Sequence, residues 1–142
     1  ADFAALGDGD VPRTAGERLY LSRGLTGIRG EAARGLPTVR DAALPALRRA
    51  LHTGRSRNNA GAIALLHLIA ATEDTNMIAR GGMEAAQAAR AACAAVLERD
   101  PLPPVEVIEQ LDRDFIRQNL SPGGCADLLA AAFFLLSWQE ED

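Results

Sequence analysis

The stretch between Ser56 and Thr72 has the length of an α-helix but no polar face. A helix that is apolar on every side is buried among other elements. We therefore expect a central helix that the rest of the chain surrounds, with Ser56 as its N-cap. The apolar positions that define it are Ala60, Ile63, Ala64, Leu66, Leu68, Ile69 and Ala71.

The rest of the chain also has the composition and spacing of helices. Apolar residues make up 48% of the sequence but aromatic residues only 4%, and an alanine-rich core favours close helix packing over sheets. No run has the period of a strand. We predict an all-α, compact multi-helix bundle with a buried central helix, forming a single domain over residues 1–142 after a loose lead-in at 1–12. The predicted helices cover residues 14–22, 37–52 (interrupted by Pro45), 56–72, 83–100, 104–118 and 121–138.

Charge and cysteine content exclude several classes of protein. The net charge of −4 gives no electrostatic footprint for nucleic acid, and all fifteen basic residues are Arg, so no catalytic Lys is present. The longest apolar stretches, 61–71 and 128–138, are too short to span a bilayer. Two cysteines far apart in sequence indicate free thiols, as in a reducing cytoplasm. We expect a cytoplasmic protein that binds neither nucleic acid nor membrane.

Three clusters place charged or polar residues beside glycines and against apolar helices. They are Arg29–Glu31 with Gly35–Thr38, Asp74–Asn76 with Arg80–Gly82, and Asn119–Asp127. In the third, Ser121 and Pro122 suit an N-cap and a first helical position, so the amides of Gly123 and Gly124 could receive a phosphate. Asp127 follows in the same helix, where burial would cost free energy without a metal, Arg or ligand. The alternative is a plain helix cap, with Asp127 paired to an Arg.

Asp74 follows the central apolar helix, so it too should emerge at the end of a buried element. Asp74 and Asp127 together could hold Mg²⁺ against a triphosphate. The alternative is an ion pair between Asp74 and Arg80 that steadies a turn. Arg29, Arg80 and Glu31 lie among glycines, and Arg grips phosphate through two hydrogen bonds, although a solvated loop would have the same composition.

Other candidates favour structural roles. His67 lies inside the apolar helix and is expected to be a core histidine with its hydrogen bonds satisfied. Glu106, Glu109 and Asp112 form a single acidic stripe, which predicts a solvated helix face. Cys125 has no activating His nearby in the sequence, so we do not expect a nucleophile.

At these clusters the chain resembles the triphosphoribosyl-dephospho-CoA synthase family, which serves citrate lyase and malonate decarboxylase. Position 125 is Cys where the family usually has Ser, and the family's N-terminal motifs of the types Pro-Gly-Leu-Val-Asp and Asn-Thr-His-Lys-Gly do not occur. The resemblance is therefore to the C-terminal half, and it implies that the N-terminal half is a partner needed for activity. The matching segments are Thr14–Tyr20, Thr26–Ala32, Leu36–Val39, Leu44–Leu47, Asp74–Asn76, Arg80–Gly82, Asn119–Gly124 and Ala126–Ala130.

The resemblance implies a transferase that moves the 5-triphosphoribosyl group of ATP to the 2′-hydroxyl of 3′-dephospho-CoA and releases adenine. The product would be the prosthetic-group precursor of an acyl carrier subunit. Asp127, Asp74 and Glu31 are the expected catalytic carboxylates, with Mg²⁺ on Asp74 and Asp127. The residues expected to bind ATP and dephospho-CoA are Arg29, Gly30, Thr38, Thr75, Asn76, Arg80, Gly81, Gly82, Asn119, Ser121, Gly123 and Gly124. Two other functions stay open: a non-catalytic helical module that binds a nucleotide or CoA, and a magnesium-dependent helical nucleotide hydrolase.

Overall fold

The computed structural model describes residues 37–140, and this part of the chain consists of helices joined by short loops, with no strand. A π-helical turn, Val39–Ala43, leads into α1, and five further helices follow. The all-α prediction is confirmed. The helices are α1 Leu44–His52, α2 Arg57–Ala71, α3 Thr75–Gly81, α4 Met83–Arg99, α5 Val105–Arg117 and α6 Gly123–Glu140.

Helix α2 is the centre of the fold. The Ser56 hydroxyl accepts a hydrogen bond from the Asn59 amide at 3.1 Å, so the predicted N-cap is confirmed. The helix packs against the π-helical turn, α1, α4, α5 and α6. Ile63 and Leu68 are fully buried, as expected for a helix without a polar face.

The interruption predicted at Pro45 takes the form of the π-helical turn. Proline has no amide hydrogen, and its ring collides with the carbonyl four residues earlier in a regular α-helix. Just before Pro45, the Leu44 amide donates to the Val39 carbonyl, five residues back. The wider turn lets the chain enter α1 without the α-helical hydrogen bond that Pro45 cannot make.

Two predicted helix starts are displaced by one residue. Pro104 is the N-cap of α5 and not its first residue. Helix α6 begins at Gly123, and the carbonyl of Pro122 accepts the hydrogen bond from the Ala126 amide at 2.8 Å. The polar cluster after α2, interpreted as a turn, includes the short helix α3, which Gly82 ends with a φ of +91°.

Side chains of α2 and its N-terminal flank hold the proline-rich linker in place. The Arg55 guanidinium donates to the carbonyls of Leu102 and Pro103 at 2.9 and 3.0 Å. His67 was predicted to be a core histidine, but it is only half-buried; its Nε2 lies 2.9 Å from the carbonyl of Pro101. These contacts fix where α5 begins, and hence the direction in which the chain returns to α6.

The helix predicted at 14–22, the lead-in at 1–12 and the first polar cluster up to Leu36 lie outside the described residues. Within 37–140, no helix is long and apolar enough to cross a membrane.

Candidate active site

Asp74 is the N-cap of α3 and is almost completely buried, with 6% of its surface exposed. Its Oδ1 accepts hydrogen bonds from the amides of Asn76 and Met77 at 3.0 and 3.1 Å. A carboxylate at this position satisfies amides that the first turn of a helix leaves without partners, and it faces the positive end of the helix dipole.

The same carboxylate also caps the first turn of α6. Its Oδ2 accepts from the Cys125 amide at 2.9 Å, and Oδ1 accepts from the Gly124 amide at 3.3 Å. Asp74 therefore joins the N-termini of two helices that lie fifty residues apart in the sequence. We call Asp74, with the four amides that donate to it, the double cap.

The glycines of the second and third clusters permit this close approach of α3 and α6. A Cβ on Gly124 would lie 3.1 Å from Asp74 Oδ1, and one on Gly123 would lie 3.1 Å from the side-chain nitrogen of Asn76. A Cβ on Gly81 would collide with the side chain of Leu120. The structure thus brings the second and third clusters together, and their glycines serve packing between the two helices.

The double cap uses two of the backbone amides at the expected phosphate site. The amides of Gly124 and Cys125 point at an anion, as expected for a helix N-terminus, but that anion is the carboxylate of Asp74. Gly124 is buried, and a phosphate on its amide would have to displace Asp74. For Ser121 and Gly123, both half-buried, phosphate binding stays a prediction.

The alternative proposed for Asp74 was an ion pair with Arg80. No such ion pair forms among residues 37–140. Both oxygens of Asp74 accept from backbone amides instead. Its expected role as metal ligand or catalytic carboxylate stays a prediction. Arg80 is exposed on α3, one turn after Asn76, which is also exposed.

Asp127 is exposed, so the desolvation cost expected for it from the sequence is wrong. The sequence of α6 is apolar on all sides, but one side of this helix faces solvent. Asp127 lies one turn after Gly123 on the same side of α6, because residues four apart share a helix face. Gly123 in turn contacts Asn76. Asn76, Arg80 and Asp127 are thus exposed polar residues on α3 and α6, the two helices that the double cap joins, and we call these three residues the polar edge.

Cys125 is a buried thiol, which agrees with the expectation that it is not a nucleophile. The Thr72 hydroxyl donates to the Leu68 carbonyl at 2.7 Å, so it accepts from the Cys125 thiol, whose Sγ is 3.3 Å away. Burial, and secondly the negative charge of Asp74, raise the pKa of Cys125 far above its usual value. Burial also raises the pKa of Cys93, to about 12.

The remaining predicted site residues differ in their burial, and three of them lie outside the described residues. Thr75 is buried in the first turn of α3, whereas Gly82 and Asn119 are exposed, with φ values of +91° and +55°. Thr38 is half-buried before the π-helical turn. Arg29, Gly30 and Glu31 lie outside the described residues. The acidic stripe of Glu106, Glu109 and Asp112 is exposed on α5, in agreement with a solvated face.

Sequence reasoning missed two partners that fix the candidate site. Thr72 was assigned only as the end of α2, yet it contacts Cys125. Arg90 on α4 donates to the Ala70 carbonyl at 3.2 Å and so holds the C-terminal end of α2, just before Asp74. A cation at the end of a helix is a known stabilising pattern, but the sequence did not indicate that Arg90 would reach α2.

The described residues form an all-α bundle in which two of the polar clusters meet at the double cap, and comparison with known proteins assigns the chain to a family. The family model described as ATP:dephospho-CoA triphosphoribosyl transferase matches residues 5–142. The chain belongs to this family.

Curated relatives support the assignment. The chain is 42% identical over 134 residues to the probable 2-(5″-triphosphoribosyl)-3′-dephosphocoenzyme-A synthase of Photobacterium profundum, covering 92% of this chain and 43% of that protein. It is 43% identical over 132 residues to the synthase of Pectobacterium atrosepticum, covering 90% and 42%. A probable synthase of Malonomonas rubra is 42% identical over 127 residues, covering 86% and 40%. The chain thus spans about two fifths of the length of these relatives. No solved structure matches it.

Proposed function

We propose that this chain carries part of the active site of an ATP:3′-dephospho-CoA triphosphoribosyltransferase. The observation that carries the proposal is the family match over residues 5–142, at 42–43% identity to synthases that span more than twice its length. The contact between Asn76 and Gly123 supports it, because residues from two of the three clusters that carry the resemblance meet there.

In this reaction the 2′-hydroxyl oxygen of dephospho-CoA attacks C1′ of the ATP ribose. The bond from C1′ to the adenine nitrogen breaks, adenine leaves with the electron pair, and the hydroxyl proton passes to a base. Positive charge develops on the ribose in such a transfer, so a nearby carboxylate stabilises the transition state. Asp127 is the better placed of the two aspartates, because it is exposed while Asp74 is occupied by four amides.

Arg80 and Asn76 are proposed to hold the triphosphate. Both are exposed and lie one turn apart on α3, and an Arg side chain donates to two phosphate oxygens at once. Ser121 and Gly123, around the start of α6, would add polar contacts with the triphosphate. They would make them from the α6 side, where Gly123 meets Asn76. The expected contributions of Arg29, Gly30, Glu31 and Thr38 belong to the same proposal.

Magnesium fits this edge only together with substrate. Residues 37–140 contain no group of three or more His, Cys, Asp or Glu side chains that could hold a metal. Mg²⁺ typically uses one or two carboxylates plus substrate phosphates, so Asp127 and the triphosphate are its proposed ligands. Bound there, Mg²⁺ would neutralise charge on the triphosphate.

The remaining parts of the proposal concern partners and location. The polypeptide that corresponds to the other three fifths of the relatives would complete the active site. The product would be the prosthetic-group precursor for an acyl carrier subunit of citrate lyase or malonate decarboxylase. Two buried free thiols agree with a reducing cytoplasm as the site of action.

The test co-expresses this chain with the part of the Pectobacterium atrosepticum synthase that it does not match. The complex is incubated with ATP and Mg²⁺, with or without 3′-dephospho-CoA, and the products are separated by chromatography. Free adenine that appears only with dephospho-CoA supports the transferase. Pyrophosphate without dephospho-CoA would indicate a hydrolase instead, and binding without any product would indicate a ligand-binding module.

The role of Asp127 is tested by Asp127→Asn in the same complex. We expect kcat to fall by roughly 10²–10⁴-fold, the usual range for loss of a catalytic acid or base. Asp112→Asn is the matched control, because Asp112 is also an exposed helical Asp but lies on α5. Equal turnover of the two variants would exclude a catalytic role for Asp127.

The role of Arg80 is tested by Arg80→Gln. We expect KM for ATP to rise by about tenfold with a smaller change in kcat, since a charge-assisted pair with phosphate is lost in the ground state too. Arg99→Gln, at an exposed position on α4, should leave both constants unchanged. An unchanged KM for Arg80→Gln would remove Arg80 from the phosphate site.

A further inference from the structure

Helix α6 has the sequence of a buried helix but is covered on one side only. Between Cys125 and Trp138 its one charged residue is Asp127. A helix that is apolar on all sides is normally enclosed by protein. Here one side packs on α2, α3, α1 and the π-helical turn, and the other is exposed. We call the exposed residues next to Asp127 on this side the outer face; they are Ala126, Ala130, Phe134, Ser137 and Trp138.

The outer face carries two large aromatic side chains in solvent. Phe134 is 65% exposed and Trp138 is 60% exposed, and their ring centroids are 6.2 Å apart. Single exposed apolar residues are ordinary, but adjacent ones on an apolar helix form a patch, and such patches mark interaction sites. Aromatic residues are also enriched in protein–protein interfaces.

The apolar surface continues from the outer face onto α2. The ring of Phe133 lies against the backbone of Gly61, where an added Cβ would be 3.2 Å from it. The Arg57 guanidinium covers this ring, with its central carbon 4.5 Å from the ring centroid. Leu65 and Leu129 line the same shallow groove between α2 and α6. The patch therefore extends over two helices.

The family relationship points to an occupant of this surface. Relatives at 42–43% identity contain more than twice the length that this chain matches, so more than half of their polypeptide lies outside the matched part. We propose that the outer face of α6 is the docking surface for the polypeptide that corresponds to the unmatched part of these relatives. The apolar residues of that polypeptide would cover Phe134 and Trp138.

The position of the polar edge supports this occupant. Gly123, Asp127, Ala130 and Phe134 follow one another along the same side of α6, at spacings of three or four residues. The docking surface thus begins at the candidate active site and runs away from it along the helix. A polypeptide bound there would border Asp127.

The experiment uses two matched variants, Ala130→Cys and Ala94→Cys. Both alanines are exposed in the middle of a helix, Ala130 on the outer face of α6 and Ala94 on α4. The native thiols of Cys93 and Cys125 are buried, so the introduced thiol is the reactive one. Maleimide labelling rates at each site are measured by peptide mass, for the chain alone and co-expressed with the unmatched part of the Pectobacterium atrosepticum synthase.

We expect both positions to react at similar rates in the chain alone. In the complex, labelling at position 130 should slow by at least tenfold, while labelling at position 94 changes by less than twofold. Equal rates at the two positions in the complex would overturn the proposal. Protection at position 130 in the chain alone that increases with protein concentration would overturn it too, because the occupant would then be a second copy.

A second measurement does not depend on assembly from two chains. In the intact Pectobacterium atrosepticum synthase, Cys is placed at the positions aligned with Ala130 and Ala94. Slow labelling at the first and fast labelling at the second are expected, and equal rates would contradict the docking surface. Labelling requires no catalysis. A failure of the proposed transferase activity can therefore be distinguished from a failure of the docking surface.

Discussion

Asp74 shows how one side chain can set the relation between two helices. Its two oxygens accept from four backbone amides, two in the first turn of α3 and two in that of α6. Each helix end brings a partial positive charge, so the carboxylate stabilises both. Asp74 therefore acts as a buried structural anion, a role that its position after a long apolar helix did not indicate.

Replacing Asp74 with Asn should destabilise the fold by about 1–3 kcal/mol, the usual cost of leaving a buried donor without an acceptor. The amide group has one oxygen, so its NH₂ would face either the Cys125 amide or the α3 amides. Urea denaturation followed by circular dichroism measures the change. Glu73→Gln, at the exposed neighbouring position, should shift the free energy of unfolding by less than about 0.5 kcal/mol. Equal stabilities of the two variants would contradict the double cap.

The two thiols should be protected in the native protein and should make its stability fall at alkaline pH. Burial raises the pKa of Cys93 to about 12, and Cys125 is raised further by burial and by Asp74. Below a pH of about 8.5 both the folded and unfolded chains hold neutral thiols, so the contribution is complete. As pH rises from there toward 12, the unfolded chain ionises first, and stability is lost.

Ellman's reagent at pH 8 should therefore modify neither thiol until denaturant is added. Denaturation curves at pH 8, 9, 10 and 11 should show decreasing stability, and Cys93→Ala should flatten that decrease. Rapid modification of the folded protein at pH 8, or the same slope in Cys93→Ala, would show that burial does not control these groups.

At the scale of elements, α3 depends on its surroundings. A helix of seven residues is not stable by itself in water, because nucleation costs more than so few hydrogen bonds return. Asp74 caps its start, Met77 and Ile78 are buried, and Gly81 lies against Leu120 in the loop before α6. The exposed positions of Asn76 and Arg80 thus depend on the contacts that hold α3 against α4 and α6.

The contact between Gly81 and Leu120 can be tested with a double-mutant cycle. Gly81→Ala should destabilise the fold by about 1–3 kcal/mol despite the better helix propensity of Ala, because the new methyl group would overlap Leu120. In a Leu120→Ala background the same substitution should cost less, by at least about 0.5 kcal/mol. Additive effects of the two substitutions, measured by urea denaturation, would rule out the contact.

At the scale of the whole molecule, burial separates a core around α2 from the outer face of α6. Phe115 on α5 is 8% exposed and belongs to the core, whereas Phe134 on α6 is 65% exposed. Phe115 lies in an amphipathic helix and Phe134 in an apolar one. The sequence alone does not show that the first is buried and the second exposed.

Phe115→Ser should therefore lower the free energy of unfolding by about 3 kcal/mol or more, as for large-to-small changes in a core. Phe134→Ser should change it by less than about 0.5 kcal/mol in the chain alone. Urea denaturation of both variants provides the measurement. A loss above 2 kcal/mol in Phe134→Ser would mean that the outer face is covered within this chain.

Local patterns were sufficient for most of the helices. The period and length of residues 56–72, the Ser56 cap and the position of Gly54 predicted α2 and the end of α1 within a residue, because these signals act over a few neighbouring residues. Helices α4, α5 and α6 were also predicted to within about two residues at their ends. The short helix α3 was missed although Asp74 is its N-cap, since a helix of seven residues depends on packing against other helices, here α4 and α6.

The sequence predicted which residues belong to the candidate site better than it predicted how these residues are arranged. The sequence indicated that the clusters at Asp74 and at Gly123–Gly124 belong together, through the family resemblance and the glycines. It did not indicate that the Asp74 carboxylate would take the α6 amides expected to bind phosphate, because such a contact joins residues fifty positions apart. Nor did it indicate that Asp127 would face solvent, since hydrophobic periodicity alone does not say which side of an all-apolar helix is covered.

The sequence by itself determined the described helices other than α3, the central place of α2 and the family, because each follows from short-range patterns or from residue identity. Only the tertiary structure decided which polar groups satisfy each other and which surfaces remain open. The physical reason is that hydrogen bonding and burial depend on distances between segments that are remote in the chain. Asp74 and the outer face of α6 are the two places where the tertiary structure changed the interpretation that was based on the sequence.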